Sequence, residues 1–339
     1  MTMSKRELIK RLINRENTER TGLWLGNPSP ETWPILHTYF NTSTEEELRQ
    51  KLNDDIRWIC PQFYDDVYQD PQGREIFDAG LDREKHARPP LADCSTLAEV
   101  EAFSWPNPEY LNFDTCIRDL NNAGDVYRLS GFWCCFFHNV SDLFGMENYF
   151  LKMLMEPDIV HAVTRKVCEF YLEANHRFFE QAGNLVDGFF FGNDFGTQKT
   201  LIMALDQFNE FIMPWFKKFT AQGHRYNYQV VLHSCGAIYD VIDQIINAGV
   251  DCIHPIQAKA AKMDAQTLAD SFKGRVTFMG GIDTQHLMTN GKPDEIKADV
   301  RRVKSILGPG LIVSPSHEAI LPNVPPENVE ALAMAALEE

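Results

Sequence analysis

A histidine and a cysteine stand two positions apart at the end of an apolar run, His233 and Cys235 in "VVLHSCG". Alternate residues of a strand point the same way, so the pair shares one face and can leave the core together at a strand terminus. Thiolate and imidazole are the donors zinc favours, and an open catalytic site takes three protein ligands and keeps a fourth position free. The third candidate is His317 in "SPSHEAILP", which closes another apolar run, with Glu318 beside it as a substitute or as occupant of the fourth position. The same residues admit two other readings. Cys235 could be a nucleophile with His233 or His254 as its base, although no oxyanion loop is evident around it. Or the histidines are satisfied strand-end residues and the cysteine a small core residue.

Other apolar runs end in polar groups as well. Asn193 and Asp194 follow three phenylalanines, with Gln198 soon after; His254 closes "VDCIHP" and Asp283 closes "MGGID". Asp194 and Glu318 are candidate catalytic carboxylates, and Asn193, Gln198, His254 and Asp283 candidate substrate contacts. For Asp194 the competing role is a helix cap, a position Asn and Asp favour.

These residues sit on a repeating pattern. From about Gly124 onward, short β-rich runs alternate with helical stretches such as 204–223 and 284–307, the signature of βα units and a parallel sheet. Six runs read as strands: "DVYRLSGF", "LVDGFFFGND", "YQVVLHSCG", "VDCIHPIQ", "RVTFMGGID" and "GLIVSPSH". Two earlier ones, "TGLWLG" and "DDIRWICPQF", bring the count to eight. Eight such units predict an α/β (β/α)8 barrel with its functional groups at the carboxyl ends of the strands. We read residues 1–339 as one domain, about 1–110 being an N-terminal extension and less regular part, with Pro61 to Pro108 an insertion or cap. An apolar wall at the mouth is expected from Phe132, Trp133, Phe136, Phe137, Phe189, Phe190 and Phe191, although such aromatics are more often core.

Composition narrows the function. The net charge is −16 and no basic stretch occurs, which argues against nucleic acid or an anionic membrane as partner. No run approaches a membrane span or a signal-peptide core, and eight irregularly spaced cysteines read as reduced thiols, so a cytoplasmic location is expected.

From about Val186 to Leu332 the sequence resembles the uroporphyrinogen decarboxylase superfamily, in particular its corrinoid-dependent methyltransferase-like branch. The matching stretches are "GNDFGTQ", "LHSCGAIYDVIDQIINAGVDCIHPIQ", "MGGIDTQHLMTNGKPDEI" and "SPSHEAILPNVPPENVEAL", in the family's order. True decarboxylases of the family hold a carboxylate-rich tetrapyrrole through N-terminal arginines and a catalytic aspartate motif. This chain has "RTGLWLGNPSP" and "DDIRWICPQF" there. Burying carboxylates without matching cations is costly, so that activity is not expected. The methyltransferase branch carries His-x-Cys after the middle strand, matched by His233 and Cys235, and a third ligand, usually cysteine, where this chain has His317.

The resemblance thus implies a zinc-dependent methyltransferase taking a methyl group from a small methylated compound, a methoxylated aromatic being the first choice. The corrinoid is expected on a separate partner protein, since no Asp-x-His-x-x-Gly stretch is present. The alternatives are a decarboxylase-like lyase with another substrate and a non-catalytic partner of the corrinoid protein.

Overall fold

The apolar runs become parallel strands joined by helical connections. The computed structural model describes residues 3–77 and 88–338. Its strands are β1 (Gly22–Leu23), β2 (Ile56–Trp58), β3 (Tyr127–Ser130), β4 (Gly188–Gly192), β5 (Gln229–His233), β6 (Cys252–Ile256), β7 (Thr277–Ile282) and β8 (Leu311–Pro315). They pair side by side in the order β1-β8-β7-β6-β5-β4-β3-β2. The two end strands are tied by other means. Asp55 N donates to Leu23 O at 3.0 Å, and the Asp55 carboxylate accepts from Leu23 N at 2.9 Å. Arg20 holds that carboxylate through two bonds of 2.8 Å. A partly buried ion pair thus completes the seam where the ladder stops, and the result is a (β/α)8 barrel.

Strand alternation sorts the side chains into two cores. Phe189, Phe191, Val230, Leu232, Ile253 and Val313 pack outward beneath the helices, while Phe190, Val231, Cys252, Met279 and Ile312 fill the barrel. The aromatic wall expected at the mouth is accordingly corrected. Phe132, Phe136, Phe137, Phe189 and Phe191 lie in the outer core with no exposed surface, and Phe190 is sealed inside the barrel. Of the seven, Trp133 alone is partly exposed, packed against Phe190 and the His233 ring.

Helix α1 (Lys5–Ile13) plugs the opposite end. Ser4 caps it, its hydroxyl accepting from Glu7 N at 3.2 Å, and Leu8, Ile9, Leu12 and Ile13 enter the barrel core. Its place is fixed by residues that open or precede strands: Thr277 Oγ1 donates to Leu12 O at 2.8 Å, and Gln229 Nε2 to Lys10 O at 2.9 Å. Arg6 and Lys10 both meet the buried Asp187 carboxylate. Each fully buried aliphatic side chain contributes about 1.5–3 kcal/mol, so this short amphipathic helix is held by packing more than by propensity.

Between Pro61 and Pro108 the described residues form short turns and the helix Leu97–Ala102, closed by a reciprocal Thr96–Glu99 cap; residues 78–87 lie outside the described residues. All eight cysteines are free thiols. Among the described residues no helix is long and apolar enough to cross a membrane.

Candidate active site

Register aligns the ends of three strands. Gly192 of β4 stands beside His233 of β5, which stands beside His254 of β6. Gly192 is required by close packing, because an added Cβ would fall within the Trp133 indole. That indole lies against the His233 ring, with centroids 5.1 Å apart.

His233 is the hub. Its Nε2 lies 3.4 Å from Cys235 Sγ and 3.3 Å from Asp194 Oδ1, and its Nδ1 lies 3.1 Å from His254 Nδ1 and 3.6 Å from Glu318 Oε2. Asp194 is no helix cap. Its Oδ1 also accepts from Cys235 N at 2.9 Å, and its own amide donates to His138 Nε2 at 3.0 Å, so it is tied to the loop that carries the cysteine. Burial alone would drive the His233 imidazole toward neutral; the Glu318 and Asp194 carboxylates and the Cys235 thiol reverse this and hold its pKa well above the ordinary histidine value. Burial likewise opposes ionisation of Asp194, yet the His233 hydrogen bond and charge keep that carboxyl far below its usual range.

Among the described residues, potential ligand atoms lying within 4.8 Å of one another form three groups: Asp194–His233–Cys235, His233–His254–Glu318 and Cys235–His317–Glu318. No group contains both His233 and His317, so Cys235 stands between them rather than completing a triangle with them. His317 Nδ1 accepts from Ala319 N at 3.1 Å. A neutral imidazole that accepts at Nδ1 carries its proton on Nε2, which leaves the ring a donor. Glu318 Oε2, 3.5 Å from His317 Nδ1 and 3.6 Å from His233 Nδ1, is buried and without a hydrogen bond. Its backbone is held by Asn27 N, beside Gly26, where an added Cβ would strike the Glu318 carbonyl.

A cavity of about 420 Å³ opens beside this cluster, lined by Gln257, Lys259, Ser316, His317, Leu321 and Asn323 among others. Of the residues read from sequence as substrate contacts, Asp283 lines it, but the carboxylate accepts from the amides of Gln285 and His286, at 2.9 and 3.4 Å. Gln198 donates to Gln257 Oε1 at 3.2 Å, and Gln257 in turn accepts from Gly236 N. Asn193 is buried and braces the fold: its Oδ1 accepts from Phe137 N and its Nδ2 donates to Cys134 O, both at 2.9 Å. His254 is completely buried, and burial with the neighbouring His233 and His317 charges pushes its pKa far down. His138, Lys259 and Asn323 carry no sign of a site in the sequence, because none follows an alternation that sets it apart from a surface residue.

Three arginines of the described N-terminal third are already engaged. Arg20, Arg49 and Arg57 bind Asp55, Asp54 and Glu46 at 2.8, 2.6 and 2.6 Å, so none of the three is free to receive a ligand carboxylate.

Residues 77–338 match the family model described as Uroporphyrinogen decarboxylase (URO-D). A methyltransferase from Methanosarcina mazei has a similar fold, with a TM-score of 0.68 over 98% of this chain and 98% of that chain, at 16% sequence identity. No curated protein matches the sequence.

Proposed function

We propose that this chain, which belongs to the uroporphyrinogen decarboxylase family, is a zinc-dependent methyltransferase, passing a methyl group from a small methylated compound to a corrinoid carried by a partner protein. The observation that carries this reading is the donor triangle at the strand ends. Zinc bonds of about 2.0–2.3 Å in a tetrahedron set N···S and N···O ligand separations of about 3.5 and 3.3 Å. His233 Nε2 lies 3.4 Å from Cys235 Sγ and 3.3 Å from Asp194 Oδ1, and the three donor atoms all lie within 4.8 Å of one another, so the three residues fit that metal. The neighbour from Methanosarcina mazei, itself called a methyltransferase, supports the same branch of the family.

In this reading His233, Cys235 and Asp194 hold the metal. When bound, zinc would supply Lewis acidity to the heteroatom that carries the methyl group. His317 was the third ligand expected from sequence; its Nδ1 is bonded to Ala319, and we assign it to the substrate side instead. A heteroatom that loses its methyl group keeps the bonding pair and needs a proton. His317, with Nε2 protonated, and Glu318, unbonded at the edge of the same cluster, are placed to provide or orient it. The cavity volume of about 420 Å³ lies in the range of small-molecule sites, which suits a compact ligand such as a methoxylated aromatic.

The test is zinc content alongside a methyl-donor screen with reduced corrinoid protein. We expect one zinc per chain in the native protein, none in Cys235→Ser, and undiminished zinc in His317→Ala with methyl transfer lowered by about 10²–10³-fold. Metal-free native protein that still holds the corrinoid partner would favour a non-catalytic partner role. Conversion of uroporphyrinogen by the purified protein would favour the decarboxylase reading.

A further inference from the structure

We infer that His254 is a positioning residue: its Nδ1 accepts the Nδ1 proton of His233 and so aims His233 Nε2 at Cys235 and Asp194. This rests on the metal-site reading above. The two Nδ1 atoms are 3.1 Å apart, a hydrogen-bond distance at which one nitrogen must donate and the other accept.

Ligation decides the direction. A neutral imidazole that gives its Nε2 lone pair to a metal carries its proton on Nδ1, and His233 Nε2 is the nitrogen beside Cys235 and Asp194. His254 has no solvent-exposed surface and is enclosed by rings, with Trp24 and Phe190 at centroid distances of 4.8 and 5.6 Å. A neutral ring that accepts at Nδ1 carries its own proton on Nε2, which in His254 is buried without a hydrogen-bond partner. His233 therefore donates. Glu318 would be the more usual partner for a ligand histidine, but its Oε2 is 3.6 Å away and makes no hydrogen bond.

The consequence concerns the metal. With Nδ1–H fixed on His254, Nε2 is the nitrogen left for the metal, and the ring cannot rotate its other nitrogen toward Cys235 without breaking the bond and unpacking Trp133. Partners of this kind change metal affinity by about 10–100-fold.

Two isosteric variants separate this role from packing. Asn presents its amide near the position of Nδ1, and Gln near that of Nε2. The expected result is that His254→Asn binds zinc within a few-fold of the native apoprotein, whereas His254→Gln binds at least about tenfold more weakly in chelator competition, both variants folding with native circular dichroism. Equal loss in both, equal retention in both, or the reverse order overturns the inference. A second readout needs no metal. Imidazole 15N shifts of the apoprotein should show His254 neutral and protonated at Nε2, and His233 protonated at Nδ1. A His254 protonated at Nδ1 overturns the assignment. If the native protein takes up no zinc, the metal reading fails while this measurement still decides the hydrogen bond.

Discussion

Val231 and His233 lie on the same face of β5, two residues apart, and face different environments. Around Val231 the barrel holds Phe190, Cys252, Met279 and Ile312, and α1 seals it from below. Around His233 the neighbouring strands present Gly192, His254 and Asp194, within reach of a cavity. One step of strand alternation, about 6.6 Å, divides a layer that only stabilises from one that can bind and react. The lower layer can be wholly apolar because its helix plug excludes water. The upper one can gather ionisable groups because it is open on one side and His233 ties Cys235, Asp194 and His254 together. This division is the physical content of the rule that barrel chemistry sits at the carboxyl ends of strands.

The largest effect is expected at the plug. Leu12 has no exposed surface and packs in the lower layer. Leu12→Ala should cost about 2–5 kcal/mol in chemical unfolding, with zinc stoichiometry unchanged in the protein that remains folded. Zinc loss at native-like folding would show that the two layers are coupled.

Gly192→Ala acts at the boundary between layers. The new methyl group would displace the Trp133 indole, and overpacking of this kind costs about 1–3 kcal/mol. Because the indole packs against His233, zinc affinity should fall with stability, which chelator competition and a denaturant curve on one preparation will resolve.

Asn193→Ala tests whether a polar residue of the upper layer is a brace. Removing its amide leaves Phe137 N and Cys134 O unpaired in a buried setting, at about 1–3 kcal/mol. We expect that loss of stability with KM for the methyl donor unchanged; a raised KM at unaltered stability would make Asn193 a substrate contact after all.

The smallest effect lies outside both layers. His224 Nε2 is 2.9 Å from Asp251 Oδ2, and that hydrogen bond, against the burial that opposes it, raises the His224 pKa above 6.5. A raised folded-state value stabilises fully below the unfolded pKa and loses its effect as pH climbs through the folded value. His224→Gln should therefore be less stable than the native protein near pH 5.5 and equal to it near pH 9. The pair is partly exposed, which limits the difference to under about 1 kcal/mol.

The strands, the barrel and the strand-end position of the reactive residues are legible in the chain. Alternation and run length are local properties, and a histidine and cysteine two apart must share a face wherever the strand lies. The tertiary structure alone decided the partners. Which of Phe189, Phe190 and Phe191 faces inward depends on register against β3 and β5. That α1 is a plug depends on Asp187, Gln229 and Thr277, more than 170 residues away. Nothing local distinguishes Asn193 the brace from Asp194 the neighbour of His233, since they differ only in the side of the chain they leave. His254 lies under His233 because the two strands pair at that register, and His317 groups with Glu318 and Cys235 because β8 closes toward β1. These are contacts between residues far apart in the chain, and only closure of the barrel sets their distances.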